Sequence, residues 1–240
     1  MKLDFSEHFK SYEQFLKQID GMFERMQQEY PEAVCCGQGC TDCCYAMFDL
    51  HLIEALYLND KFNKLDSSNK DRLLIEADKA DRKVFKMKRK MAKAHKAGQE
   101  DEQILQEVAK ERLRCPLLSE DDRCAMYDNR PITCRLYGLP LEIDGQTHTC
   151  GKSGFIPGKQ YPTVKMGIIH EKLMDMSREL AIDINSKYKD LYALLLPLSS
   201  SLLIEFNADY LGARQKGEAQ KDNLSQKQSG LDEWVVGDGE

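Results

Sequence analysis

The chain has 240 residues, 42% hydrophobic and 31% charged, with a formal net charge of −6. This content supports a folded core with much exposed helical surface, and the acidic balance argues against a globally basic nucleic-acid binder. The opening MKLDFSEHFKSYEQF has no apolar leader run and carries Asp4 and Glu7, so a cytoplasmic chain is expected. In that reducing setting nine cysteines point to metal ligation or catalysis rather than disulfides. The most apolar stretch, Leu191–Phe206, is broken by Pro197, three serines and Glu205 and falls short of the ~20 residues that cross a bilayer.

Along the chain, Phe5, Phe9, Tyr12, Phe15, Leu16, Ile19, Met22, Phe23 and Met26 recur at helical spacing. They predict a core-facing amphipathic helix, capped by Asp4 or Ser6 and stopped at Tyr30-Pro31. A cysteine-rich run at 35–44 precedes a helix expected from about Leu50. Between Ser67 and Arg114, Leu73, Ala77, Ala80, Val84, Met87, Met91 and Ala94 step by fours and threes. After Ala97-Gly98, Ile104, Leu105, Val108, Ala109 and Leu113 resume the pattern, so an αα-hairpin insert is expected over 67–114. Its first arm, DRKVFKMKRKMAKAHK, sets eight Lys or Arg against one Asp. The expected role is a solvated face paired with Glu100, Asp101, Glu102 and Glu107. A protein partner at this insert or at the C-terminal helices is the alternative. Nucleic acid is disfavoured, because Phe85 is the one aromatic in the run.

Residues 115–150 hold a second cysteine block, rich in turn formers. Helices are expected from Lys165 to Asn185 and around Tyr188–Leu196, with an apolar stretch running to Phe206. The expectation is a mainly α protein: one cysteine-cluster domain over 1–211 with turn-rich cysteine segments at its centre, then a polar tail over 212–240 whose Trp234-Val235-Val236 is its one apolar motif.

With Cys35 set aside, the thiols number eight: Cys36, Cys40, Cys43, Cys44, Cys115, Cys124, Cys134 and Cys150. Eight make two sets of four, the number that closes a tetrahedral zinc site or holds one iron–sulfur cluster. Cys40 and Cys43 have the spacing of a metal-binding turn, with Gly37 and Gly39 beside them to let the backbone bend. Neighbouring side chains tend to point apart, so Cys43 and Cys44 are expected to face two different sites, or one of them to be structural. Arg123, Arg130 and Arg135 stand near the second block, either favouring thiolate or making ordinary salt bridges. His51 and His148 are expected to pack or face solvent rather than ligate. CGKSGF does not make a phosphate loop, since Gln146 stands where the first glycine is required. Nucleophilic catalysis by one low-pKa cysteine has its best candidate in Cys35, with a spare thiol the plainer reading.

The combination CGQGCTDCC, Glu54-Ala55, Cys115-Pro116, Cys124-x-x-Tyr127, Arg130-Pro131-x-x-Cys134-Arg135 and Cys150 resembles the YkgJ-type CxxCxxCC family of zinc- or iron-chelating domains. The resemblance covers residues 35–151 and implies metal or iron–sulfur binding through the eight cysteines. All-thiol ligation suits zinc and iron alike. An iron–sulfur cluster is preferred, because a vicinal pair and long-range assembly are unusual for modular zinc knuckles. Two roles follow: electron transfer or metal handling, or an iron–sulfur-dependent enzyme modifying a protein or small molecule. Some relatives resemble the cysteine-rich part of flagellin lysine methylases, but no Gly-rich nucleotide loop follows a strand here.

Overall fold

A computed structural model describes residues 3–37, 39–100, 103–104, 107 and 111–215. Among these the protein is mainly α, with seven helices and five short strands. No helix of the described residues is long and apolar enough to cross a membrane. The chain packs as two compact units. One takes Met1–Cys35, Leu136–Ala193 and the chain from Phe206 on; the other takes Cys36–Arg135 and Leu194–Glu205.

In the first unit, α1 (Ser6–Glu29) buries Tyr12, Phe15, Leu16, Ile19 and Met26, as the periodicity predicts. Asp4 Oδ1 accepts the Ser6 backbone N–H at 2.9 Å at its start. Helix α5 (Met166–Asp183) buries Ile169, Leu173, Met176 and Leu180, and His8 of α1 meets its Asp183 at 3.0 Å. Strands β2 (Leu141–Ile143), β3 (Gln146–His148) and β4 (Val164–Lys165) form a small sheet in the order β3-β2-β4. The β2–β3 hairpin adds a short sheet to the turn-rich block of 115–150. Asp144 and Gly145 take φ of 52° and 77°, the two positive values that a tight two-residue hairpin turn requires.

The loop after β3 docks on the chain leaving α1. Gly154 N–H donates to Ala33 C=O at 2.8 Å, and a Cβ at Gly154 would lie 2.4 Å from Glu32 O. Gly154→Ala is therefore expected to destabilise the protein by about 1–3 kcal/mol. Gly151→Ala, with nothing within 4 Å, is the neutral control in the same thermal melt.

In the second unit, α2 (Leu52–Asn63) is buried over Leu52–Asn59, and α3 (Ser67–Lys96) buries Leu73, Ala77, Val84 and Met87. Asp66 caps α3 by accepting Asn69 N–H at 3.0 Å, and Gly98 at φ 82° follows its end. The apolar stripe of α3 rests on α6 (Leu198–Leu203), where Asp81 accepts the Ser199 and Ser200 hydroxyls at 3.0 and 2.5 Å. Of the expected return arm, Leu105, Val108 and Ala109 lie outside the described residues, as do Asp101, Glu102 and Trp234-Val235-Val236.

α2 begins at Leu52, in keeping with the expected start at about Leu50, just after β1 (Asp49–His51), which pairs antiparallel with β5 (Leu195–Pro197). One expected helix is corrected. Because of this pairing no helix covers Tyr188–Leu196: a short 3-10 turn at Leu191–Ala193 gives way to β5. Pro197 disfavours helical backbone just before it, and α6 starts just after it.

Candidate metal centre

The thiols are positioned by turns rather than by long elements. Cys40 N–H bonds to Gly37 C=O at 3.1 Å in a turn that needs Gly39 at φ 87°. Cys43 and Cys44 then sit in a 3-10 turn, Asp42–Tyr45. The second block returns to this turn directly, since Cys115 N–H donates to Cys44 C=O at 2.7 Å. Beyond it the chain folds back between Leu118 and Cys124. Cys134 rides on the short helix α4 (Ile132–Leu136).

Three side chains outside the cysteine pattern hold these pieces in place. Arg112 reaches buried Asp42 at 2.7 Å, joining the 3-10 turn to the segment leading into Cys115. Arg114 donates to the carbonyls of Leu118 and Ser119, both at 2.7 Å, and so pins the fold-back. Glu54, buried on α2, accepts Ile132 N–H at 3.0 Å and His51 N–H at 3.4 Å, tying α4 to the start of α2. Neither Arg112 nor Arg114 carries a sequence signal, because each acts on a backbone or turn that only the fold supplies. Glu54 does carry one: a carboxylate three residues after the N-cap His51, the capping-box position.

Cys43, Cys44, Cys115, Cys124 and Cys134 interact electrostatically as a group, with the Arg130 charge acting on Cys43, Cys124 and Cys134. A hydrogen bond donated by the Cys44 thiol holds the Cys43 thiol down at about 7, and Arg130 acts in the same direction against the cost of burial. Cys44 is pushed up, first as the donor in that bond, then by burial and by the charges of Cys43, Cys115 and Cys124. Burial pushes Cys115 up to about 12 and raises Cys124. It raises Cys134 well above the ordinary thiol range. Cys43 and Cys44 are thus coupled to one another, and the charges of Cys115 and Cys124 act on Cys44.

The three arginines separate by role. Arg130 acts on the thiols through its charge, stacks on Tyr127 with its guanidinium carbon 3.9 Å from the ring centroid, and has a buried Nε with no partner among the described residues. Arg135 is buried and holds the backbone, donating to Arg130 C=O at 2.9 Å and Asp128 C=O at 2.6 Å. Arg123 is exposed and meets Asp121 at 3.6 Å.

Cys36 and Cys40 belong to the same unit as the five interacting thiols and are half-buried. Cys35 and Cys150 belong to the other unit. Cys35 is exposed, 3.8 Å from Glu32 O; Cys150 heads a turn in which Ser153 donates through N–H and Oγ to its carbonyl at 2.9 and 2.7 Å. His51 is the N-cap residue of α2, and His148 is exposed on β3.

A prediction about the metal-free protein follows. Alkylation of Cys43 by iodoacetamide is expected to rise with pH through a midpoint near 7, because the thiolate is the reacting form. Arg130→Gln is expected to move that midpoint upward, read by peptide mass mapping. An unmoved midpoint rules out the electrostatic role of Arg130.

The donor set suits a soft cation. Buried thiols pay a desolvation cost as free thiolates, and a coordinated cation offsets it. Among the described residues, however, no three Cys, His, Asp or Glu side chains are already arranged around one ion. Fold and site together define a mainly helical protein with a thiol-rich, metal-type centre. Residues 35–151 match the model of the CxxCxxCC family, "Putative zinc- or iron-chelating domain". No curated protein and no solved structure matches the chain.

Proposed function

We propose that this protein binds an iron–sulfur cluster, with zinc as the competing occupant, and uses it in electron transfer or metal handling. The observation that carries the reading is the backbone link from Cys115 N–H to Cys44 C=O at 2.7 Å, which joins the two cysteine blocks, together with the electrostatic influence of Cys43, Cys44, Cys115, Cys124 and Cys134 on one another and of Arg130 on Cys43, Cys124 and Cys134. Cys36 and Cys40 extend the candidate ligand set within the same unit. A bound cluster would supply one-electron redox capacity. The chain's own contribution is to hold the thiols by backbone turns, to desolvate them, and to balance their negative charge with Arg130. Thiolate ligation from several parts of the chain, with a vicinal pair among the ligands, favours a cluster over a modular zinc knuckle.

The test is anaerobic purification followed by iron, acid-labile sulfide and zinc analysis with visible and EPR spectra. Iron and sulfide in comparable amounts with a cluster absorption band are expected. Stoichiometric zinc without sulfide overturns the iron–sulfur assignment and leaves the chelating role standing.

A further inference from the structure

Away from the thiols, α3 carries a second feature that the metal-binding reading does not use. Lys79, Arg82, Lys86, Arg89, Lys93 and Lys96 follow one another at intervals of three and four residues. All six are exposed. At 100° per residue this spacing places them in one row on the side of α3 opposite Leu73, Ala77, Val84 and Met87, which face the core. The row is about 26 Å long at 1.5 Å per residue, or one cation roughly every 5 Å. Lys83 and Lys90 widen it on one flank, and Phe85, 66% exposed, lies on the other.

Local pairing neutralises only the N-terminal end of the row. Lys79 meets Glu76 at 2.7 Å and Arg82 meets Asp78 at 3.0 Å. Of the acids expected to pair with this arm, Glu107 approaches Lys90 on the flank at 4.0 Å. Lys86, Arg89, Lys93 and Lys96 make no ion pair with any described residue. Four like charges at helical spacing repel one another, and the row stands on a chain whose net charge is −6.

We infer that this face of α3 is a docking surface for an acidic segment of another protein, laid along the helix with Phe85 as its apolar edge contact. A helix with Glu or Asp every three or four residues repeats at the same interval as the cations, so carboxylates and cations meet in register along the whole row. Nucleic acid fits less well. Between Lys79 and Lys96 there is no Asn or Gln to read a base and no exposed aromatic besides Phe85 for stacking. The negative net charge of the chain also opposes the approach of a dense polyanion.

The test uses the full chain, purified with whatever metal it retains, and a fluorescein-labelled helical peptide of sequence (EAAELAA) repeated three times. Fluorescence anisotropy is expected to show binding that weakens as salt is raised. The triple variant Lys86→Glu, Arg89→Glu, Lys93→Glu is expected to bind about tenfold more weakly or worse, with its far-UV circular dichroism and melting temperature unchanged because these positions are exposed. Reversing Lys10, Lys187 and Lys189, at other exposed sites, is expected to leave binding within about twofold. Undiminished binding by the α3 variant overturns the inference. So does tighter binding to a 20-base-pair RNA duplex or to phosphatidylserine vesicles than to the peptide at physiological salt. None of these outcomes bears on metal content, so the docking surface and the metal centre stand or fall separately.

Discussion

Cys43→Ser and Cys44→Ser are each expected to remove most of the metal that the wild-type chain retains, and the same metal in both cases. A hydrogen bond couples the two thiols, and both interact electrostatically with Cys115 and Cys124. Serine offers a hard, weakly acidic oxygen in place of a soft thiolate, so a site for zinc or iron–sulfur loses affinity steeply. Cys35→Ser, at an exposed thiol in the other unit, is the control and is expected to leave the content unchanged. Metal analysis of the four proteins decides the matter. If each of the vicinal variants keeps half the metal, the thiols serve two separate centres.

Glu54→Ala is expected to have the next largest effect, lowering unfolding free energy by about 2–4 kcal/mol in urea. The substitution removes a buried carboxylate that accepts from two backbone N–H groups on different elements. It leaves the buried Ile132 N–H without its acceptor at the first residue of the helix that carries Cys134. Metal retention should fall along with stability, since α4 loses its tie to α2. Glu54→Gln keeps an acceptor oxygen and should lose less. An alanine variant that unfolds at the wild-type urea midpoint would show that this carboxylate does not organise the centre.

The long helices were legible in the sequence because their apolar positions repeat over many turns. The α1 stripe and the Leu73–Met87 stripe of α3 both face inward as their spacing demands. The errors fall where a short segment's partner is distant. Residues 195–197 end an apolar run that reads as helix, yet they pair with residues 49–51 across almost the whole of their unit. The Asp144-Gly145 hairpin, by contrast, carried a local signal that the reading of 115–150 as a turn-rich block left unused. At the site, cysteine spacing identified the candidate donors. It could not show that the Cys43 and Cys44 thiols are coupled, or that Arg130 is the arginine whose charge acts on Cys43, Cys124 and Cys134. Those facts depend on which backbone carbonyls and turns come together from residues some 70 positions apart, as in the Cys44–Cys115 contact.

That contact has a consequence for how freely the protein can vary. Cys115 N–H is fastened to Cys44 C=O at 2.7 Å, and Arg112 to Asp42 at the same distance. The two ends of everything between them are therefore stitched together at the thiols. The tip beyond α3, near Gly98, can gain or lose residues while the sulfurs keep their separation, because a longer loop between fixed ends costs only about 0.6 kcal/mol per doubling. Spacing between the two cysteine blocks is thus a poor guide to kinship among such chains. The stitches at its ends are the part to look for.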